Sequence, residues 1–305
     1  MPVFTANQVN FSIAGIPVGG QPGEYPTLLV GSIFYSGDPV VEDASHGDFK
    51  VDKAKELLDR EEELSLKLGV PRVTDVVAES VEAIKRYLEF VLKTTDSPMM
   101  IDSTRPDVRM AGLDYVKKTG QSKRVIYNSI DEHTSDQELA AIAESGVKTA
   151  VLLAFSPRLL KPADRQRVLV GEDEAPGLLD KARRAHVKNV LVDVGVLDLP
   201  SVGWASQAIE SVKEELGLVS GCAPVNALYS WKRQSGIDDE AFRAAAASTL
   251  TQPVVLGADY IFYGPVSTAR WVYPAVAAVD AMVAYTGRLS GIKPKTDTHP
   301  LFKIS

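Results

Sequence analysis

From about residue 27 onward, the chain alternates short, nearly unbroken apolar runs with longer segments in which apolar residues recur every three or four positions. The first run, TLLVGSIF (27–34), is followed by VDKAKELLDREEELSLKLG, where Ala54, Leu57, Leu58, Glu61, Leu64 and Leu68 keep helical spacing with one polar interruption. RVTDVV (72–77) precedes a helix opened by Ser80, and PMMID (98–102) precedes one introduced by Ser103, Thr104 and Pro106. Hydroxyls satisfy the free N–H groups of a helix start, and proline is tolerated in its first turn. RVIYNS (124–129) leads to SDQELAAIAESG, in which Ser135 and Glu138 form a capping box and Gly146 supplies the stop. The rhythm continues through KTAVLLAF, KNVLVDV, LVSGC and ADYIFYG, each followed by a segment of helical character.

Eight strand-helix units result. Strands that read as continuous apolar runs are buried on both faces, as in a parallel sheet covered by helices. Eight such units over about 260 residues predict a (β/α)8 TIM barrel, an α/β fold that typically takes about 250 residues. A doubly wound open sheet competes, weakened by the lack of a Gly-x-Gly-x-x-Gly after an early strand. The first 26 residues read as an N-terminal β-hairpin that plugs the barrel base. GIPVGGQPGE lacks the Gly-Lys-Ser/Thr ending of a phosphate loop and reads as turns. With no repeat, low-complexity tract or linker, residues 1–305 are expected to form a single domain.

Composition narrows the functional classes. Of 305 residues, 45% are hydrophobic and 24% charged, as in a globular protein with a large core. A formal charge of -7, without a basic stripe, argues against nucleic acid as a partner. One cysteine, Cys222, and no export signal at the N-terminus predict a reducing, cytoplasmic setting. WVYPAVAAVDAMVAY is too short for a bilayer and carries Asp280, so no membrane span is expected.

In such a barrel the C-terminal ends of the strands face the active site, so a polar residue finishing an apolar strand is a functional candidate. Asp102 in MMIDST, Asn128 in VIYNSI, Asp193 in VLVDVG and Asn226 in SGCAPVNA, just beyond the LVSGC run, fit this description, with Asp75 in RVTDVV as a fifth from the second strand. Each alone is equally readable as the cap of the following helix. Taken together, two acids and two amides on strands three, four, six and seven converge on one cavity. Carboxylates accept paired hydrogen bonds and amides both donate and accept, so the set suits a planar heterocycle with an N–H beside an amino group, such as a 2-amino-4-oxo pterin. Metal binding fits worse. His46, His133, His186 and His299 are scattered, no His-Glu-x-x-His occurs, and DEHTSD around His133 reads as a polar loop. No Gly-x-Ser-x-Gly elbow is present, and Cys222 reads as a small buried hydrophobe. REEEL at 60–64 reads as a solvated helix face. Trp271, Val272, Ala275, Val279 and Met282 read as core or subunit contact.

GIPVGGQPGEYPTLLVGSIFYSGDPVVED, MMIDSTRP, VIYNSI, VLLAFSP and DYIFYGPVSTARWVYPAVAAVDA resemble the family of the H subunit of tetrahydromethanopterin S-methyltransferase over nearly the whole chain. The chain looks most like the bacterial branch, the methylcorrinoid protein:tetrahydrofolate methyltransferases of glycine betaine demethylation, in one-carbon metabolism. The resemblance implies a pterin-binding TIM barrel that moves a methyl group from a methyl-Co(III) corrinoid protein to N5 of tetrahydrofolate. It implies that Asp102, Asn128 and Asp193 hold the pterin, that Asn226 stands nearest N5, and that Asp102 lies behind it as a polar partner. No Asp-x-His-x-x-Gly pattern is present, so the cobalamin is expected on a separate protein, and no metal bound by this chain is expected. A homodimer is expected by likeness to related barrels.

Three alternatives stand beside that reading. In the first, the chain is the soluble H subunit of a membrane-bound complex moving methyl from methyltetrahydromethanopterin to cobalamin. The second is dihydropteroate synthesis, against which no pyrophosphate-binding loop is apparent. The third is a non-catalytic role in which the chain only binds a pterin.

Overall fold

The computed structural model describes residues 1–172 and 175–304. Its centre is a closed barrel of eight parallel strands. These are β1 (Leu28–Ile33), β2 (Arg72–Val77), β3 (Met99–Asp102), β4 (Val125–Ile130), β5 (Thr149–Leu153), β6 (Asn189–Asp193), β7 (Ser220–Cys222) and β8 (Tyr260–Pro265). Each pairs with the next in chain order, and β8 closes onto β1 through Tyr260 to Leu28 and Ile261 to Leu29. The anticipated (β/α)8 architecture is therefore the observed one.

The helices form the outer ring: α1 (Val51–Leu68), α2 (Val81–Thr94), α3 (Pro106–Lys118), α4 (Asp136–Ser145), α5 (Asp164–Val170), α6 (Leu178–Arg184), α7 (Val202–Leu216), α8 (Val225–Ser235), α9 (Asp239–Val255) and α10 (Ala269–Gly287). The fifth and seventh units each carry two helices. Their starts follow local chemistry. Ser80 Oγ accepts from the Ala83 N–H at 3.0 Å, and Pro106 is the first residue of α3. Ser135 caps α4 by accepting from the Glu138 N–H, and Gly146 ends it in the left-handed conformation, φ 78°. The reciprocal half of the expected capping box is not made: the Glu138 carboxylate turns inward to Arg109 and Tyr127.

Along each strand, alternate residues face opposite sides. One set, including Leu29, Val76, Ile101, Tyr127, Leu152, Val192 and Ile261, packs under the helices. The other, including Leu28, Val30, Val73, Met100, Ile126, Val151, Leu191, Val219, Tyr260 and Phe262, fills the barrel interior. Ile13 and Val18 join this interior cluster from the hairpin Asn10–Ile13/Ile16–Gly19, which plugs the base as expected. GIPVGGQPGE supplies the second hairpin strand and the turns after it, not a phosphate loop at the mouth.

One helix reading is corrected. Within REEEL, Glu61 is fully buried: its carboxylate accepts from Tyr263 Oη at 2.5 Å, Tyr273 Oη at 3.1 Å and Arg72 Nη1 at 3.3 Å. It is the polar interruption on the apolar face of α1, and a buried carboxylate needs such partners. On α10 the buried face runs through Val272, Tyr273, Val276, Ala277, Asp280 and Ala284, whereas Met282 is exposed and Trp271, Ala275 and Val279 are half-buried. Asp280 is held by the Thr27 hydroxyl at 2.7 Å and the Thr27 N–H at 3.0 Å. Among the described residues no helix is long and apolar enough to cross a membrane.

Candidate active site

Continuing the inward-facing set toward the C-terminal ends of the strands replaces apolar residues by polar ones. Above Leu28 and Val30 comes Ser32; above Val73, Asp75; above Met100, Asp102; above Ile126, Asn128; and above Leu191, Asp193. Strand register makes neighbours of them, pairing Ser32 with Asp75, Asp102 with Asn128, and Leu153 with Asp193. The five strands thus carry a polar ring on an apolar floor, at the barrel end where active sites of this fold lie. Between β4 and β5 the pairing steps from Tyr127–Ala150 to Ile130–Leu152, one extra residue on β4. This bulge spans Asn128 and Ser129, and bulges beside active sites re-aim side chains.

Within the ring Asp75 and Asp193 are buried, whereas Ser32, Asp102 and Asn128 are half-buried, and the acids are short of partners. Asp75 is 2% exposed; its Oδ2 accepts from Ser32 Oγ at 2.7 Å, while its Oδ1 meets no donor of good geometry. Burial, then the adjacent Asp102 carboxylate, push the Asp75 pKa well above the usual range, against smaller opposing effects of Ser32 and Asn128. Burial and the neighbouring carboxylate thus both favour the protonated form of Asp75. Burial also raises Asp102 to about 6, with Arg109 opposing. Asp193 is raised to about 6 by burial, opposed by the Gly195 N–H, which donates to its Oδ1 at 2.8 Å, and by Arg165. Among the described residues none of these three acids forms a direct ion pair. Buried acids without their own cations are poised to receive hydrogen-bond donors from a ligand.

Asn226 departs from the expected placement. It is exposed in the first turn of α8, four residues beyond the end of β7 at Cys222, and not on the strand. The start of α8 packs on the end of β8, where a Cβ on Gly264 would lie 2.2 Å from Val225 Cγ2. Asn226 therefore stands at the rim while Asp75, Asp102, Asn128 and Asp193 line the well.

The loop after β3 is fixed by Ser103 and Arg109. Ser103 Oγ donates to the Ala78 carbonyl at 2.6 Å and accepts from the Arg105 N–H at 3.2 Å, tying the β2 and β3 loops together. Arg109 Nη1 donates to the Ser103 carbonyl, and its Nε reaches Tyr127 Oη and Glu138 Oε1, both at 2.9 Å. Cys222 is fully buried and its thiol is pushed up by burial, leaving it inert. The loop around His133 is an aspartate-centred turn, with Asp131 Oδ1 accepting from the His133 N–H at 2.9 Å. Among the described residues no three His, Cys, Asp or Glu side chains are grouped to hold a metal ion.

Sequence reasoning misses Ser32 and Arg165. Ser32 has a signal, being the next residue of the alternating series Leu28, Val30 in VGSIF. Arg165, in the charged stretch PADRQRV, has none, yet it is 4% exposed and donates to the Val194 carbonyl at 2.7 Å.

Comparison with known proteins bears on the fold and the family. Among solved structures, dihydropteroate synthase of Yersinia pestis with a pterine-sulfa conjugate superposes with a TM-score of 0.61 at 12% identity, over 90% of this chain and 98% of that one. That of Xanthomonas albilineans with 6-chloroguanine superposes at 0.58 and 16%, with the same coverage. These likenesses show the fold. The H subunit of tetrahydromethanopterin S-methyltransferase from Methanopyrus kandleri is 36% identical over 304 residues, 94% of each chain. Its counterpart from Methanothermobacter thermautotrophicus is 35% identical over 99% of each. The family model described as tetrahydromethanopterin S-methyltransferase MtrH subunit matches residues 6–295, so the chain belongs to that family.

Proposed function

We propose that this chain binds a reduced pterin in the barrel mouth and catalyses methyl transfer between its N5 and a corrinoid carried by a separate protein. The observation that supports this most is the ring of Asp75, Asp102, Asn128 and Asp193 on the barrel interior, with a buried Asp75 oxygen left without a donor. Its acceptors fit a 2-amino-4-oxo ring, whose N–H and amino group supply the hydrogens that paired carboxylate oxygens lack. The family name favours tetrahydromethanopterin as the pterin. The names of the relatives above mention neither tetrahydrofolate nor glycine betaine, so tetrahydrofolate rests on motif resemblance alone. The ring contacts are common to both pterins.

The corrinoid supplies the cobalt centre that gives or takes the methyl group. This chain's residues do the rest. Asp193 and Asn128 hold the amino-oxo edge. A neutral tertiary amine is a poor methyl donor, so transfer out of the pterin needs a proton at N5, and transfer into it needs N5 bare. Asp102, raised to about 6, and Asp75 beside it, raised well above its usual range, together hold a proton within the site and let its position change with the direction of reaction. Asn226, at the rim, offers N5 either the donor or the acceptor half of its amide. Orientation then supplies most of the acceleration, up to ~7 to 11 kcal/mol in well-aligned systems.

The test is to titrate the purified chain with tetrahydromethanopterin and, separately, tetrahydrofolate, and then to add cob(I)alamin to each methylated pterin. Binding and chain-dependent loss of cob(I)alamin with at least one pterin is the expected result. Neither binding nor transfer with both would sink the reading.

A further inference from the structure

We propose that Arg165 is a positioning residue of this site, fixing the loop after β5 against the end of β6 so that Asp193 meets the pterin as a correctly aimed carboxylate. The inference rests on the pterin reading above. Arg165 sits at the start of α5 and is nearly fully buried, yet among the described residues no carboxylate lies within ion-pair distance of it. Its partners are carbonyls instead. Nε donates to Val194 O at 2.7 Å, and Nη1 donates to Leu159 O at 2.8 Å and to Lys161 O at 3.4 Å. One guanidinium therefore spans the residue after Asp193 and two residues of the 154–163 loop.

A second set of contacts leads from the same cation to the carboxylate. The Arg165 guanidinium lies over the Phe155 ring, 5.4 Å from its centroid. Phe155 packs against Gly195, where an added Cβ would fall 2.8 Å from Phe155 Cβ. Gly195 has φ +71°, a conformation that glycine adopts without strain, and it donates its N–H to Asp193 Oδ1 at 2.8 Å. Arg165, Phe155 and Gly195 thus form a packed path from the loop to Asp193. The path has an electrostatic consequence as well: the uncompensated guanidinium lies close enough to Asp193 to favour its anion.

A planar five-donor fork suits this task and an ammonium does not, because carbonyls on two separate segments must be met at fixed angles. The variants Arg165→Met and Arg165→Lys separate charge from shape. In Arg165→Met the pterin dissociation constant should rise roughly tenfold, as when a charged hydrogen-bond partner is removed. The pH midpoint of binding should also move upward, since Asp193 loses the neighbouring cation. Arg165→Lys should keep most of the pH midpoint while losing affinity. A merely structural arginine would lower the melting temperature and leave affinity and midpoint unmoved, which would overturn the proposal. Gly195→Ala, which disturbs the same path at its other end, should also weaken binding; unchanged binding there would count against the path. If the wild-type chain binds neither tetrahydromethanopterin nor tetrahydrofolate, the pterin reading has failed. If the wild type binds and Arg165→Met binds equally well with the same midpoint, this inference alone has failed.

Discussion

Replacing Asp193 by asparagine should strengthen the empty protein and weaken its hold on the pterin. Burial raises the Asp193 pKa from 3.8 to about 6, so ionising it inside the barrel costs roughly 2 pKa units, or ~3 kcal/mol. An acid whose folded pKa exceeds its unfolded one binds more protons when folded between those two values. Stability therefore falls as pH rises from 3.8 through about 6, and the full penalty is present at neutral pH. Asparagine removes that penalty and keeps an oxygen for the Gly195 N–H. Allowing for a weaker hydrogen bond, the empty variant should gain ~1 to 3 kcal/mol at pH 7.5. Pterin affinity should move the other way by ~1 to 3 kcal/mol, because an amide presents a donor where the ligand presents one too. The pH profile adds a third constraint. With Asp193 and Asp102 both near 6, each loses about 11-fold of its anion at pH 5, so wild-type affinity should fall roughly 100-fold there if both must be ionised. The variant should lose only about one tenfold step. Thermal melting without ligand and pterin titration between pH 5 and 8 measure all three. A variant that binds like the wild type, or that is less stable at pH 7.5, would refute the assignment of Asp193 as an uncompensated ligand-binding acid.

Other perturbations test other parts of the molecule. Asn226→Ala should depress methyl transfer by more than tenfold while changing pterin affinity by less than about threefold, since the role proposed for its amide is at N5 and not at the ring edge; equal rates in variant and wild type would remove it from the chemistry. Glu61→Leu should destabilise the protein by about 3 kcal/mol by stripping Arg72, Tyr263 and Tyr273 of a buried acceptor, which denaturant unfolding would read as a lower midpoint with unchanged pterin affinity. Asp280 is raised to about 7 by burial, so its ionisation subtracts stability as pH rises from 3.8 to 7; Asp280→Asn should melt higher than wild type at pH 8 and lose that advantage by pH 4, and an equal difference at both would contradict this.

The barrel is legible because its strands are buried on both faces, which leaves continuous apolar runs such as TLLVGSIF and MMID in the sequence. The same continuity hides which alternate residues face inward, so Ser32 goes unnoticed although it shares a face with Leu28 and Val30. Asp75, Asp102, Asn128 and Asp193 can be found because strand ends and barrel mouth coincide in this fold. Asn226 is misplaced because β7 is only three residues long and Pro224 starts a helix almost at once. Glu61 sits in an acidic run that looks solvated, and two of its partners lie 202 and 212 residues away. Arg165 binds backbone carbonyls, a role that any surface arginine's sequence context could equally precede.

The activity proposed for this chain alone is transfer of a methyl group between a tetrahydropterin and a corrinoid. Cob(I)alamin absorbance followed with 5-methyltetrahydromethanopterin or 5-methyltetrahydrofolate, with and without the chain, tests it most directly. The chain should accelerate cob(I)alamin loss with at least one of them, and Asn226→Ala should slow this without releasing the pterin. Tight pterin binding with no acceleration from either donor would contradict it and leave a protein that only binds the pterin.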